Sequence, residues 1–368
     1  MRLMKNLYIA LCVLATPLGA KAATLYTGDR LDGVAVIDKL DIADQPSGKT
    51  TRLWFRVMDQ SLGQGWYVPV IVIKGNKPGP KFLITAGIHG DELNGIAVIQ
   101  RLVSQIDPNQ VSGTIIAVPG LNTPGLLHST REYSPEGKGE GNLNRLMPGD
   151  VTQSDPAVIY AGRLWSQIFM GNSDMAIDMH TQSRGTSYPM YAFAETGKAR
   201  HMADLVQPDI INMDQGVKGT VENTLNHAGI PAITLELGTS EIFNTAMINR
   251  ALRGVLNVMI DAKMIEGSLD MSGPKPFIGN EVYNVNTPKG GYAHLTVALN
   301  DEVKSGQMLA YITNAFGEVV ASIKAPKDGH VLSLSTDPRL DPGNMVVRLI
   351  DWSEKGTCAQ TGCPKPSY

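Results

Sequence analysis

Short apolar runs separated by turn residues fill the chain from Ala23 to about Gly79. Trp54-Phe55-Arg56-Val57 and Val68-Pro69-Val70-Ile71-Val72-Ile73 read as strands, and Gly63-Gln64-Gly65 and the Gly75–Pro80 cluster read as turns. From Lys81 the pattern changes. Phe82-Leu83-Ile84 is a compact apolar run, and Asn94 to Ser104 then carries Ile96, Ile99, Leu102 and Val103 at helical spacing. Strands are predicted again over Gly113–Val118, Met175–Asp178 and Ala232–Leu235, with helices between them and a long helix from Asn244 to Ile265. Strands alternating with helices predict an α/β fold with a mixed, largely parallel sheet flanked by helices.

A second change of texture falls at Glu266–Pro274, a Gly/Ser/Asp/Pro-containing linker. Beyond it, Glu281 to Ile350 is almost all short β-like runs with turns at Gly290-Gly291, Lys304-Ser305-Gly306, Phe316-Gly317 and Lys327-Asp328-Gly329. The expected organisation is an α/β domain over residues 23–270, a barrel-like all-β domain over 271–352 and a tail over 353–368. Lys304–Ala310 and Ile323–Val331 resemble the biotinyl/lipoyl type of β-barrel. The turn corresponding to the carrier's lysine is Asn314-Ala315-Phe316-Gly317, which has no lysine, so a swinging-arm role is not expected.

The first 22 residues follow a different logic. Arg2 and Lys5 precede the apolar run Leu7–Leu18, and Ala20-Lys21-Ala22 ends it with small residues, which predicts a secretory signal peptide cleaved after Ala22. Its removal takes away Arg2, Lys5 and Lys21. The 32 Lys and Arg become 29 against 35 acidic residues, a net charge of −6. That balance, with 43% hydrophobic and 18% charged residues, gives no electrostatic basis for nucleic-acid binding. No later run reaches the roughly 20 apolar residues needed to span a bilayer. Cys12 leaves with the leader. Cys358 and Cys363 remain, separated by four residues in a tail without histidine, and in an oxidising compartment they are expected to form a small disulfide loop.

In an open α/β sheet, functional groups gather where strands end at their carboxyl edge. His89 and Glu92 follow the Phe82–Ile84 strand, His180 closes the Met175–Asp178 run, and Glu236 ends Ile233-Thr234-Leu235. Two histidines and two glutamates at three strand ends suit a three-ligand zinc site with one carboxylate to spare, the arrangement that leaves a position for water. An unpaired carboxylate between Leu235 and Leu237 would cost several kcal/mol without a metal, proton or partner. His89/Glu92 alone is also compatible with a capping role, with Glu92 interacting with the helix dipole.

Four motifs in order resemble the succinylglutamate desuccinylase/aspartoacylase family, relatives of the zinc carboxypeptidases. They are Gly87-Ile88-His89-Gly90-Asp91-Glu92; Asn142-Leu143-Asn144-Arg145 followed by Pro148-Gly149; Asp178-Met179-His180-Thr181; and Thr234-Leu235-Glu236-Leu237-Gly238. The resemblance covers about residues 66 to 350. It implies one Zn2+ ion held by His89, Glu92 and His180, with Glu236 as general base and Arg131 polarising the scissile carbonyl. Asn144 and Arg145 would hold a substrate carboxylate. Asp178, two residues before His180, either orients that ligand or has a structural or solvated role. The family usually carries Asp where Asn142 stands and Leu where Met179 stands. The implied activity is hydrolysis of an acyl group from an N-acyl amino acid or similar small carboxylated amide. A peptide-trimming carboxypeptidase-like enzyme and a non-catalytic binding protein on the same fold are the competing readings. His128 is expected at the surface.

Overall fold

A computed structural model describes residues 23–133, 141–194, 197–356 and 358. The expected signal peptide and Cys363 lie outside the described residues; Cys358 is disulfide-bonded. The strands that build the site are β1 (Lys49–Asp59), β2 (Gly65–Lys74), β3 (Lys77–Ala86), β4 (Ser112–Pro119), β5 (Met175–Gln182), β6 (Thr186–Phe193) and β7 (Ala232–Thr239). They lie in the order β1-β2-β4-β3-β5-β7-β6 within one large mixed sheet. The central four, β4-β3-β5-β7, are parallel, and the flanking strands β2 and β6 run antiparallel to them.

Alternation explains why the centre holds together. Phe82, Ile84 and Ala86 point to one face and Leu83 to the other; Ile115 and Ala117 are likewise opposed to Ile116 and Val118. All eight are fully buried, and each of the larger side chains contributes about 1.5–3 kcal/mol through its burial. Helix α1 (Asn94–Gln105) covers the first face with the long helix α2 (Thr245–Asp261). The predicted Asn244–Ile265 helix stops at Asp261. Lys263 takes a left-handed conformation (φ 57°), and the Met264 amide bonds back to the Met259 carbonyl, closing the helix end.

Register brings the strand ends level. Ala86 pairs with Met179, and Glu236 pairs with His180. The buried Asn94 fixes this edge: its Nδ2 donates to the Leu237 carbonyl at 2.7 Å, and its Oδ1 accepts from the Asn244 amide at 2.9 Å. One side chain thus ties the start of α1, the end of β7 and the start of α2.

No helix or strand occurs between residues 266 and 276. The C-terminal strands include β8 (Glu281–Asn286), β9 (Gly329–Ser335) and β10 (Met345–Asp351) and surround an apolar core that contains Val303, Leu309, Ile312, Val331 and Leu349. A four-stranded antiparallel sheet forms one part of this region. The other part extends the main sheet: Leu334 and Ser335 of β9 pair with Ser187 and Thr186 of β6, and β10 and β8 follow. Tyr188, Tyr191, Leu332 and Ile350 pack together across this junction. Among the described residues, no helix is long and apolar enough to cross a membrane.

Candidate metal centre and substrate cavity

The chain leaves β3 at Ala86 and turns through Gly87 to Glu92 before α1 begins. Gly90 is required by packing, because a Cβ there would lie 1.9 Å from the carbonyl carbon of Gly125. The tight turn aims His89 and Glu92 at His180 on the neighbouring strand. All three are buried, and one donor atom from each lies within 4.8 Å of the other two. His89 Nδ1 and His180 Nδ1 each stand 2.8 Å from a different Glu92 carboxylate oxygen.

The far side of each ring is also engaged. Asn142 Oδ1 lies 3.1 Å from His89 Nε2, and Asp178 Oδ2 lies 2.8 Å from His180 Nε2. An oxygen acceptor at Nε2 places the proton there and leaves the Nδ1 lone pair directed at the common point. Asp178 is itself buried and accepts from Thr85 Oγ1 at 2.6 Å. Two imidazole nitrogens and a carboxylate oxygen form a donor set fit for a divalent ion, with nitrogen and oxygen ligands of the kind zinc accepts.

In the metal-free site the buried charges compensate one another, and a bound cation would take the place of the proton that His180 otherwise holds. Burial lowers the affinity of His89 for a proton, keeping its imidazole neutral. Burial opposes the Glu92 charge, but the adjoining imidazoles outweigh it and hold the carboxyl well below its usual range. Burial also disfavours charge on His180, yet Asp178 and Glu92 together raise it well above the ordinary histidine value. Glu92 further accepts from the Thr181 amide, Ser183 Oγ and Arg131 Nη1.

Glu236 faces the same space. Part of its side chain is accessible from the cavity, while Oε2 is shielded and has no hydrogen-bond partner among the described residues. Burial pushes its carboxyl up to about 8. Arg131 Nη1 lies 3.1 Å from Glu92 Oε1 and 3.2 Å from His89 Nδ1, so its guanidinium adjoins the donors. Asn144 is buried, with Oδ1 taken by the Val221 amide and Nδ2 3.4 Å from His180 Nε2. Arg145 donates to the Asn144 carbonyl and has no carboxylate partner among the described residues.

A cavity of about 340 Å³ takes in His89, Glu92, His180, Glu236, Arg131, Asn144 and Arg145. All the residues singled out for metal, base and substrate contacts therefore share one space, with Asp178 behind His180. His128 ends a short helix and is exposed, as expected. Sequence reasoning missed two charged members of the wall. Arg348 comes from β10, donating to Tyr188 Oη at 2.6 Å and Asn284 Oδ1 at 2.8 Å. Glu222 comes from the helix Val221–His227. An acid in the first turn of a helix and a basic residue on a short strand carry no local sign of facing a cavity.

Comparison with known proteins agrees with this geometry. The chain is 28% identical over 313 residues to an N-alpha-acetyl-L-2,4-diaminobutyric acid deacetylase of Halomonas elongata, covering 80% of this chain and 88% of that one. It is 22% identical to a succinylglutamate desuccinylase of Serratia proteamaculans, over 52% of this chain and 64% of the relative. Among solved structures, a succinylglutamate desuccinylase/aspartoacylase from Rhodobacter sphaeroides superposes with a TM-score of 0.74 at 22% identity, covering 85% of this chain and 98% of that one. The product-bound ectoine utilization protein of Ruegeria pomeroyi gives 0.73 at 21% identity, covering 83% and 96%. Residues 78–261 match the succinylglutamate desuccinylase/aspartoacylase catalytic domain, and the chain belongs to that family.

Proposed function

We propose that the protein is an exported zinc-dependent amide hydrolase that removes the acyl group from a small N-acyl amino acid. The observation that carries the reading is Glu236 Oε2, buried with no hydrogen-bond partner among the described residues, in the same cavity as the three converging donors His89, Glu92 and His180. A carboxylate left in that state suits a group that exchanges protons with a bound reactant. The Halomonas and Serratia relatives are, by name, a deacetylase and a desuccinylase of amino acid derivatives, which supports the substrate class.

Zinc held by His89, Glu92 and His180 would supply Lewis acidity and acidify a water at neutral pH. Glu236 accepts the proton of the attacking water and passes it to the departing amine. Arg131, with its guanidinium against the donors, offers N–H groups to the carbonyl oxygen as negative charge develops there. Arg145, lacking a carboxylate partner within the described chain, presents a planar fork for two parallel hydrogen bonds to the substrate carboxylate. Asn144 lines the same cavity, with its amide nitrogen 3.4 Å from His180 Nε2. A cavity of about 340 Å³ is near the lower end of ligand sites, which favours a small amide over an extended peptide.

Export is supported by the basic–apolar–small pattern of residues 2–22 and is in keeping with the disulfide at Cys358. The test uses protein lacking residues 1–22, loaded with zinc, on N-acetyl and N-succinyl amino acids beside murein peptides. Release of the acyl group from the small amides is expected. Hydrolysis of the peptides alone would overturn the proposal in favour of a carboxypeptidase-like enzyme.

A further inference from the structure

Two members of the cavity wall, Tyr188 and Arg348, have no part in the chemistry above. Tyr188 lies on β6, and the sheet order β5-β7-β6 sets that strand beside the one carrying Glu236, on the side away from His180. Glu236 pairs with Tyr191 and Thr239 with Ser187, so Tyr188 stands alongside the carboxyl end of β7. Its ring packs against that of Tyr191, with centroids 5.2 Å apart. Arg348 comes from β10 and is held on one side by Asn284, its pairing partner on β8, whose Oδ1 accepts from Nε at 2.8 Å. On the other side Arg348 Nη1 donates to Tyr188 Oη at 2.6 Å. A guanidinium has only donors, whereas a phenol has one donor and also accepts. The bond to Arg348 therefore uses the Tyr188 oxygen as acceptor and turns the hydroxyl hydrogen away. That hydrogen has no acceptor among the described residues. Burial, with the Glu236 charge adding to it, pushes the phenol up to about 12, so the hydrogen stays in place at neutral pH.

We infer that the Tyr188 hydroxyl donates a hydrogen bond to an oxygen of the bound substrate, and that Arg348 is the positioning residue that keeps this hydroxyl turned toward the cavity. The inference deepens the hydrolase reading and rests on it. The oxygen has two possible sources: the scissile carbonyl, or a group that does not react, such as the carboxylate. Donation to the first strengthens as the oxygen becomes anionic and acts on kcat. Donation to the second is equal in the ground and transition states and acts on KM. In both cases a residue of the C-terminal strands influences turnover without touching the substrate. A purely structural tie between β6 and β10 is the rival. It predicts a loss of stability with kcat and KM unchanged in the folded protein.

The test compares zinc-loaded parent, Tyr188→Phe, Arg348→Met, the double variant and Arg348→Lys on the N-acyl amino acids and murein peptides named above. Phenylalanine keeps the ring contact with Tyr191 and removes only the hydroxyl. Tyr188→Phe should lower kcat/KM about tenfold or more, with zinc content unchanged. Arg348→Met should lower it by a similar factor in the parent but by less than about threefold once the hydroxyl is gone, since the arginine acts through that group. Arg348→Lys, which can still donate to Oη, should recover part of the loss, and it carries the test if the methionine variant does not fold. Parent-like kcat/KM in Tyr188→Phe, equal factors for the arginine change with and without the hydroxyl, or zinc lost in proportion to activity would overturn the inference. Hydrolysis of the peptides alone counts against the small-amide reading, and the variant ratios are then read on the peptides. For a parent that turns over neither class, calorimetric titration with N-acetyl-L-norvaline replaces turnover. Binding about tenfold weaker in Tyr188→Phe then supports the inference, and equal binding overturns it.

Discussion

His180 Nε2 lies 2.8 Å from Asp178 Oδ2, two residues earlier on the same strand, whereas His89 Nε2 meets the neutral amide oxygen of Asn142 at 3.1 Å. The two imidazoles aim the same nitrogen at the metal point but are backed by partners of different charge. Asp178→Asn should therefore weaken zinc binding about 10–100-fold, since a carboxylate behind a ligating histidine both orients it and raises its basicity. Asn142→Ala should cost less, because only a neutral hydrogen bond is lost. Competition with a chromophoric chelator measures both.

Glu236→Gln should retain zinc affinity while lowering kcat by about 10²–10⁴-fold, the range expected for a positioned acid–base group. Its pH signature in metal-free protein follows from burial, which moves the carboxyl from 4.5 to about 8. Between those values the unfolded chain has released a proton that the folded chain retains, so stability falls as pH rises through the window and levels off above it. Metal-free Glu236→Gln should thus be more stable than metal-free parent above pH 8, on the order of several kcal/mol. The two should converge below pH 4.5. Denaturant unfolding at pH 4, 6 and 8.5 gives the comparison.

Arg145→Ala should raise KM for carboxylated amides by about 10–100-fold, the loss of a charge-assisted pair, with a smaller effect on kcat. Lysine at this position should recover only part of the affinity, because a point charge does not reproduce the planar fork. An amide substrate with its carboxylate esterified should respond equally in all three proteins.

Gly90→Ala tests the turn that delivers His89. The added methyl meets the Gly125 backbone, which cannot move aside as a side-chain tip could. The variant should lose more than about 2 kcal/mol of stability. Whatever folded fraction remains should bind zinc less tightly than the parent, measured by thermal unfolding with and without zinc.

The strand-end residues of the site were legible because their settings are local. A histidine or glutamate directly after an apolar run marks a carboxyl edge, and parallel neighbours bring such edges level, as the Glu236–His180 pairing does. Asp178 was legible as a position but not as a role, since only the fold fixes whether its carboxylate reaches His180. Asn142 could not be assigned to His89 from the sequence, because the bond spans 53 residues and includes a loop. Arg348 was the least legible. Its place on the wall depends on β9 pairing with β6, a contact between segments nearly 150 residues apart whose register no local pattern specifies.

That pairing has a consequence for how selectivity is distributed along the polypeptide. A fragment ending with α2 at Asp261 would carry every proposed zinc donor and Glu236, yet the vessel around them would lack the side closed by Arg348 and its hold on Tyr188. Changes among the last few dozen residues, remote in sequence from any reacting atom, are therefore expected to surface as altered choice of acyl compound while the hydrolytic machinery stays whole.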